Sequence, residues 1–147
     1  MEDPRLGPLE AALGHRFVEP ARLARALTHA SYAHEHPPEA DQEPLAFVGD
    51  AALSLVVAER LLARTPSAPV GVLTPERAAI VSGANLARWA AALELGALLR
   101  LGRGEDQTGG RERESILATT LEAVLGVVYL EGGLDAVRSA VGRLAGW

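Results

Sequence analysis

The sequence contains no cysteine and no lysine. Without cysteine, the chain forms no disulfide bonds and binds no metal through thiolates. All 14 basic residues are arginine, and the 19 acidic residues give a formal net charge of −5. This charge argues against a strongly basic nucleic-acid-binding protein, but it leaves room for a site that grips phosphates with a few arginines.

Aromatic residues are also scarce, at 4% of a chain that is 48% hydrophobic. A core built from alanine, leucine and valine suits close packing of helices. The 147 residues fit one domain, which we expect to span residues 1–147. No apolar run reaches the roughly 18 residues of a membrane span, and residues 1–5 lack the start of a signal peptide. We therefore expect a cytoplasmic protein with no membrane partner.

Apolar residues recur three or four positions apart through most of the chain, and no stretch alternates with period two. The pattern predicts an all-α domain of about seven helices. Proline- and glycine-rich segments predict loops over residues 34–44, 64–72 and 102–110, and Thr74-Pro75-Glu76 is typical of a helix start. The predicted helices are residues 6–14, a second starting at 19–20, then 45–62, 74–95 with a break near Ser82-Gly83, 111–130 and 134–144.

Two acidic residues lie in otherwise apolar predicted helices: Asp50 in residues 45–62 and Glu122 in residues 111–130. Burying a carboxylate is costly unless it is paired or binds a metal. Neither residue has a cation three or four positions away on its own helix. Three alternatives follow: an arginine across a helix interface, an exposed polar stripe, or a Mg²⁺ site shared by two packed helices.

The order of several motifs resembles the ribonuclease III family. LAFVGDAAL (residues 45–53) is similar to the family signature LEFLGDAVL, and ESILATTLEAVLG (residues 114–126) is similar to ESILADTVEALIG. Two more segments match in the same order: residues 9–17 with LTHASY at 27–32, and residues 99–110. The resemblance covers about residues 9–142. It implies an all-α, homodimer-forming domain that cleaves double-stranded RNA with Mg²⁺, or with Mn²⁺ as a substitute.

The same resemblance implies four metal-binding carboxylates, at the positions of Ala46, Asp50, Thr119 and Glu122. Two of the four are replaced here. Asp50 and Glu122 remain as the expected metal ligands and catalytic residues, one on each long helix. The Ala and Thr replacements resemble the Mini-III subgroup, whose members are active nucleases linked to ribosomal RNA maturation and lack a double-stranded-RNA-binding domain.

Four further residues are candidates through the resemblance. Glu43 aligns with a family glutamate of the active centre, although it also suits a helix N-terminus. Phe47 resembles the aromatic residue that fills a pocket of the partner subunit; the alternative is an ordinary core phenylalanine. Arg111 and Arg113 follow a flexible Gly-Gly pair at a helix start, where they would meet RNA phosphates or lie as solvated surface arginines.

Two functions therefore stay open. The first is a homodimeric, Mg²⁺-dependent endoribonuclease acting on double-stranded or structured RNA, with modest RNA affinity that falls steeply with salt. The second is a catalytically inactive RNA-binding or ribosome-assembly protein that keeps the fold and the dimer. Loss of the carboxylates at Ala46 and Thr119 motivates the second.

Overall fold

A computed structural model describes residues 3–147, and helices dominate this part of the chain. The all-α prediction is confirmed, with nine α-helices rather than about seven and no β-strand within the described residues. One 3-10 turn, Gly110–Glu112, lies before the last helix. The helices are α1 (Leu6–Leu13), α2 (Pro20–Ala26), α3 (Ala30–Glu35), α4 (Glu43–Arg64), α5 (Val70–Val81), α6 (Gly83–Ala92), α7 (Leu95–Leu98), α8 (Arg103–Gln107) and α9 (Glu114–Ala145).

Helices α4 and α9 form the centre of the domain, and α1, α2, α5, α6 and α7 pack around them. The core consists of small and medium aliphatic side chains, because the sequence supplies few aromatic ones. Leu53 and Val57 of α4 and Leu121, Val124 and Val128 of α9 are among its fully enclosed members. The two apolar helices that hold Asp50 and Glu122 are therefore the two that the rest of the chain covers.

Several helix ends lie where the sequence predicts them. Gly14 follows α1 in the left-handed conformation, with φ of 65°, and Pro20 is the first residue of α2. The predicted break near Ser82-Gly83 is confirmed, since the Ser82 hydroxyl accepts a hydrogen bond from the Asn85 backbone N–H at 3.2 Å and so caps α6. These signals are local, and local chemistry decides them.

Other boundaries were predicted wrongly. Helix α5 begins at Val70 rather than at Thr74, and Pro75 lies inside it. Pro69 precedes the helix and its carbonyl accepts the first helical hydrogen bonds, so the earlier of two prolines marks the start. The predicted loop at 102–110 contains α8, the loop at 34–44 begins only after α3 ends at Glu35, and α9 starts at Glu114 rather than Arg111.

Helix α9 is broken at Gly133, whose φ of 70° and ψ of −167° are not helical. The predicted end near Gly132-Gly133 and the predicted last helix are thus both present, joined across a kink. By length and composition α9 could cross a membrane, contrary to the expectation from the sequence, but 61% of its most apolar window is buried within the domain. Burial of this kind is typical of a core helix.

Candidate active site

The two central helices touch backbone to backbone where two glycines face each other. A Cβ on Gly49 of α4 would lie 1.7 Å from the carbonyl oxygen of Glu122, and a Cβ on Gly126 of α9 would lie 2.2 Å from the carbonyl oxygen of Leu45. Neither position has room for any side chain. The glycines therefore fix how α4 and α9 cross, and with it the placement of Asp50 directly beside Gly49.

This crossing brings Asp50 and Glu122 together. Asp50 is exposed, whereas Glu122 is only partly exposed. Burial, together with a hydrogen bond to Asp50 and repulsion from its charge, raises the pKa of Glu122 from 4.5 to about 8. A divalent cation bound between these two carboxyl groups would displace the proton of Glu122.

No arginine neutralises this pair. None of the ion pairs within residues 3–147 includes Asp50 or Glu122. Of the alternatives open from the sequence, the arginine partner is therefore wrong. The exposed stripe holds for Asp50, which is not the buried residue that its apolar neighbours suggested. The shared metal site stays a prediction.

The other two positions of the family's ligand set flank the pair without adding charge. Ala46 is buried one helical turn before Asp50, and Thr119 is partly buried one turn before Glu122. Within the described residues no group of three or more histidine, aspartate or glutamate side chains is placed to hold a metal. Mg²⁺ keeps several waters and is held by one or two protein carboxylates together with substrate phosphates. Asp50 and Glu122 fit that minimum.

Glu43 is exposed in the first turn of α4, where its backbone N–H donates to Asp41 Oδ1 at 2.9 Å. Its side chain lines a small cleft together with Thr119. It is not among the groups that shift the pKa of Glu122. The structure thus places Glu43 near one member of the four-position set, and its catalytic role stays a prediction.

Phe47 is 81% exposed and is not a core residue. It lies on an apolar surface formed by α4 and α9 that includes the half-exposed Leu55 and Tyr129. We call this surface the Phe47 patch; its residues are Phe47, Val48, Ala51, Ala52, Leu55, Tyr129 and Leu134. A phenylalanine this exposed is consistent with insertion of its side chain into another molecule.

Arg111 and Arg113 both have partners within the chain. Arg111 donates to Asp106 Oδ1 at 2.9 Å and to the Leu99 carbonyl at 2.7 Å, while Arg113 pairs with Glu105 and donates to the Thr108 carbonyl at 3.0 Å. The two guanidinium groups brace α8 against the start of α9. They are partly exposed, and contact with RNA phosphates would be made alongside or in exchange for these bonds.

Two residues near the site were not assigned to it from the sequence. His29 and Ser115 line the same cleft as Glu43 and Thr119. A signal for Ser115 was present, since it lies four residues before Thr119 and therefore on the same face of a helix. His29 comes from a distant segment, and no periodicity connects it to the long helices.

Comparison with known proteins identifies the family of the chain. A family model described as Ribonuclease-III-like matches residues 19–145. Ribonuclease 3 of Streptomyces coelicolor is 52% identical over 136 residues, which are 92% of this chain and 49% of that protein. Ribonuclease 3 of Heliobacterium modesticaldum is 49% identical over 143 residues, 95% of this chain and 61% of that protein.

Solved structures give the same result. The nuclease domain of ribonuclease III from Campylobacter jejuni superposes with a TM-score of 0.88 at 34% identity, covering 97% of this chain and 94% of that one. A second structure of that domain, which concerns flexibility in a region involved in dimer formation, gives a TM-score of 0.87 at 35% identity over 95% of this chain and 94% of that one.

The fold is that of a helical domain shared with solved nuclease domains. The chain belongs to the ribonuclease III family, and the resemblance noted from the motifs is confirmed. It spans about half the length of the curated relatives that it matches. These relatives are named Ribonuclease 3, and the likeness to the Mini-III subgroup rests on Ala46 and Thr119 alone.

Proposed function

We propose that this chain is a Mg²⁺-dependent endoribonuclease that cleaves double-stranded or structured RNA as a homodimer. The observation that carries the proposal is the juxtaposition of Asp50 and Glu122, without any cation partner, at two metal positions of the family. Carboxylates held together against their own repulsion are characteristic of sites for divalent cations. The named relatives support an RNA-cleaving activity, since each is a ribonuclease.

In this proposal Asp50 and Glu122 hold the metal. Mg²⁺ supplies a Lewis acid that stabilises negative charge on the phosphate under attack. Asp50 offers an exposed carboxylate to solvent and to substrate, whereas Glu122 must release a proton before it serves as a ligand. Glu43 supports the site from the first turn of α4. Arg111 and Arg113 contact the RNA backbone outside the acidic pair. Because the chain carries a net negative charge, these arginines supply positive charge that the RNA phosphates need.

The homodimer would form through the Phe47 patch. Phe47 and Leu55 lie two helical turns apart on one face of α4, and both are exposed. A second copy of the chain would place its own phenylalanine against the same surface, as a two-fold axis requires. The structure from Campylobacter jejuni that concerns a region involved in dimer formation supports a dimer by analogy, without locating its interface.

A cleavage assay tests the proposal. Purified protein is incubated with end-labelled double-stranded RNA in Mg²⁺, Mn²⁺ or EDTA, alongside the variants Asp50→Asn and Glu122→Gln. We expect divalent-dependent cleavage that falls by about 100-fold or more in each variant, since each removes half of the protein's ligand charge. Glu76→Gln, at a partly exposed glutamate paired with Arg64, is the matched control and keeps full activity. Cleavage that survives Asp50→Asn would contradict the assigned site.

The reduced ligand set favours a second candidate, a catalytically inactive domain that binds RNA or assists ribosome assembly. Ala46 carries no polar atom, and the described residues provide no third metal ligand. This function predicts RNA binding that is indifferent to Asp50→Asn and no cleavage with any divalent ion. Divalent-dependent cleavage by the wild-type protein would rule it out.

A further inference from the structure

A groove lined by arginines lies at the end of the central helices that is remote from the acidic pair. It runs between the last turns of α4 and the last turns of α9, and its volume is about 610 Å³. Arg60 lies about 15 Å further along α4 than Asp50. The groove shares no lining residue with the Phe47 patch. It therefore belongs neither to the candidate metal site nor to the proposed dimer surface.

The lining of the groove is positive although the chain as a whole is negative. Arg60, Arg138 and Arg143 line it, and Glu59 is the one carboxylate among its lining residues. Arg138 is already held between Glu59 and Asp135, so it has little to offer an incoming anion. The available positive charge is that of Arg60 and Arg143, in a protein of formal net charge −5. Such a local reversal of charge attracts anionic ligands to the groove.

Neither Arg60 nor Arg143 has an acidic partner. None of the ion pairs within residues 3–147 includes either of them, and both side chains are exposed. A guanidinium group presents five N–H donors in a rigid fork that matches two oxygens of a phosphate. Two such forks that line one groove therefore suit a phosphate group.

Trp147 adds a flat aromatic surface that the end of α9 holds in place. Gly146 follows the helix in the left-handed conformation, with φ of 73°, and the Trp147 backbone N–H donates to the Gly142 carbonyl at 2.8 Å. This is the hydrogen-bonded cap that ends many helices. The guanidinium carbon of Arg60 lies 5.4 Å from the centroid of the Trp147 ring, and 37% of Trp147 is exposed. Base-binding proteins use aromatic rings and arginines in this way to stack planar groups.

The groove also has room for a ligand of moderate size. A Cβ on Gly142, which lies one helical turn before Gly146, would meet no heavy atom within 4 Å. The volume of about 610 Å³ falls within the range of small-molecule sites in proteins. The absence of a side chain at Gly142 thus leaves the space between the arginines and the indole open.

From these groups we infer that the groove binds a nucleoside phosphate, either as a free nucleotide or as the end of a single RNA strand. The phosphate lies between Arg60 and Arg143, and the base stacks on Trp147. A nucleotide uses both the charge and the indole, whereas the side chains of an acidic peptide would use the arginines alone. The inference does not depend on the cleavage activity, because none of its residues belongs to the acidic pair.

The test uses adenosine 5′-monophosphate (AMP) as the probe, with adenosine and inorganic phosphate as its separate parts. Binding is measured by isothermal titration calorimetry at low salt in EDTA, and quenching of tryptophan emission reports stacking on the indole. The variants are Arg60→Gln, Arg143→Gln and Trp147→Leu. Arg77→Gln, at an exposed arginine of α5, is the matched control, and thermal unfolding confirms that each variant is folded.

We expect AMP to bind at least about tenfold more tightly than adenosine or inorganic phosphate, because it uses both parts of the groove. Each of the two arginine variants should lower the affinity for AMP by about tenfold, as the loss of charge-assisted hydrogen bonds predicts. Trp147→Leu should lower it by about fivefold or more and abolish the quenching. Arg77→Gln should bind AMP as the wild type does.

A second titration, with 5′-phosphorylated tetra-adenylate RNA, distinguishes the two sources of the nucleotide. Much tighter binding of the tetranucleotide than of AMP would identify the strand end as the ligand, and equal affinities would identify the free nucleotide. Binding that is unchanged in Arg60→Gln and Arg143→Gln, or no binding of either probe, would overturn the inference and leave the nuclease proposal standing. A hexaglutamate peptide that binds where both nucleotide probes fail would also overturn it and assign the groove to an acidic peptide.

Discussion

Helix α9 carries two carboxylates shielded from solvent, and they behave in opposite ways. The Glu131 side chain is 2% exposed, and burial alone would raise its pKa. Hydrogen bonds from His15 at 2.9 Å and from the backbone N–H groups of Val18 and Glu19 at 3.0 and 2.8 Å outweigh burial, so the pKa of Glu131 is lowered. Glu122 has no such donors and faces Asp50 instead, and its pKa rises to about 8.

The difference separates a structural carboxylate from a functional one. Glu131 fixes the segment before α2 against the kink of α9, and its negative charge is fully compensated inside the molecule. Glu122 receives no such hydrogen bonds within the described residues, and so its carboxylate is available to a cation from solution. Burial by itself would not have told the two apart; the identity of the hydrogen-bonding neighbours does.

The largest effect is expected from removing Glu131, the carboxylate that accepts hydrogen bonds within the chain. Glu131→Ala removes the acceptor of His15 and of the exposed backbone N–H groups of Val18 and Glu19. We expect a loss of about 1–2 kcal/mol in the free energy of unfolding, measured by urea denaturation at pH 7. Glu131→Gln, which retains one acceptor oxygen, should lose less. A Glu131→Ala protein as stable as wild type would show that these bonds contribute nothing to the fold.

Removing Glu122 should have the opposite effect and raise the free energy of unfolding. The folded state binds the Glu122 proton more tightly than the unfolded chain does, so this group opposes folding increasingly as pH rises from 4.5 to about 8. Without divalent ions, Glu122→Gln should therefore stabilise the protein at pH 8 by on the order of 1–2 kcal/mol, allowing for solvent screening of a partly exposed group.

The pH dependence provides the control for that variant. At pH 4 both Glu122 and its replacement are neutral, and the difference in stability should vanish. Urea titrations of both proteins at pH 4, 6 and 8 measure the trend. A stabilisation that is the same at all three values would indicate improved packing rather than relief of repulsion.

The smallest effect should come from a carboxylate in a solvent-accessible ion pair, Glu59. Glu59 accepts from Arg138 Nε at 2.9 Å, and this ion pair holds the pKa of Glu59 below its ordinary value. Water screens such pairs almost completely. Glu59→Gln should shift the melting temperature by little more than the error of a calorimetric scan, and a shift comparable to that of Glu131→Ala would mean that the Glu59–Arg138 pair also organises the fold.

Several features of the fold and of the candidate site could be predicted from the sequence, because they lie in local patterns. The apolar patterns of residues 45–62 and 111–130 predicted two long helices, and the isolation of Asp50 and Glu122 within them singled out the pair. Gly14, Pro20 and Ser82 marked helix ends correctly, since capping and proline effects depend on neighbouring residues only.

The remaining features depend on residues far apart in the chain. Short helix α8 is braced by Arg111 and Arg113, which lie beyond a glycine pair, and the glycine count of this segment predicted only a loop. Burial, together with Asp50 on another helix, raises the pKa of Glu122. Pro75 resembled a helix start because proline favours the first turn of a helix. That local preference does not show that the helix has already begun, here after Pro69.

The central claim is that the Asp50–Glu122 pair is a cation site. It is tested most directly by measuring the melting temperature of the protein with and without millimolar Mn²⁺ at pH 6.5 and 8.5. We predict that Mn²⁺ raises the melting temperature of the wild type, more at pH 8.5 because Glu122 has then lost its proton, and leaves Asp50→Asn and Glu122→Gln unchanged. An equal increase in wild type and variants, or none in the wild type, would contradict the claim.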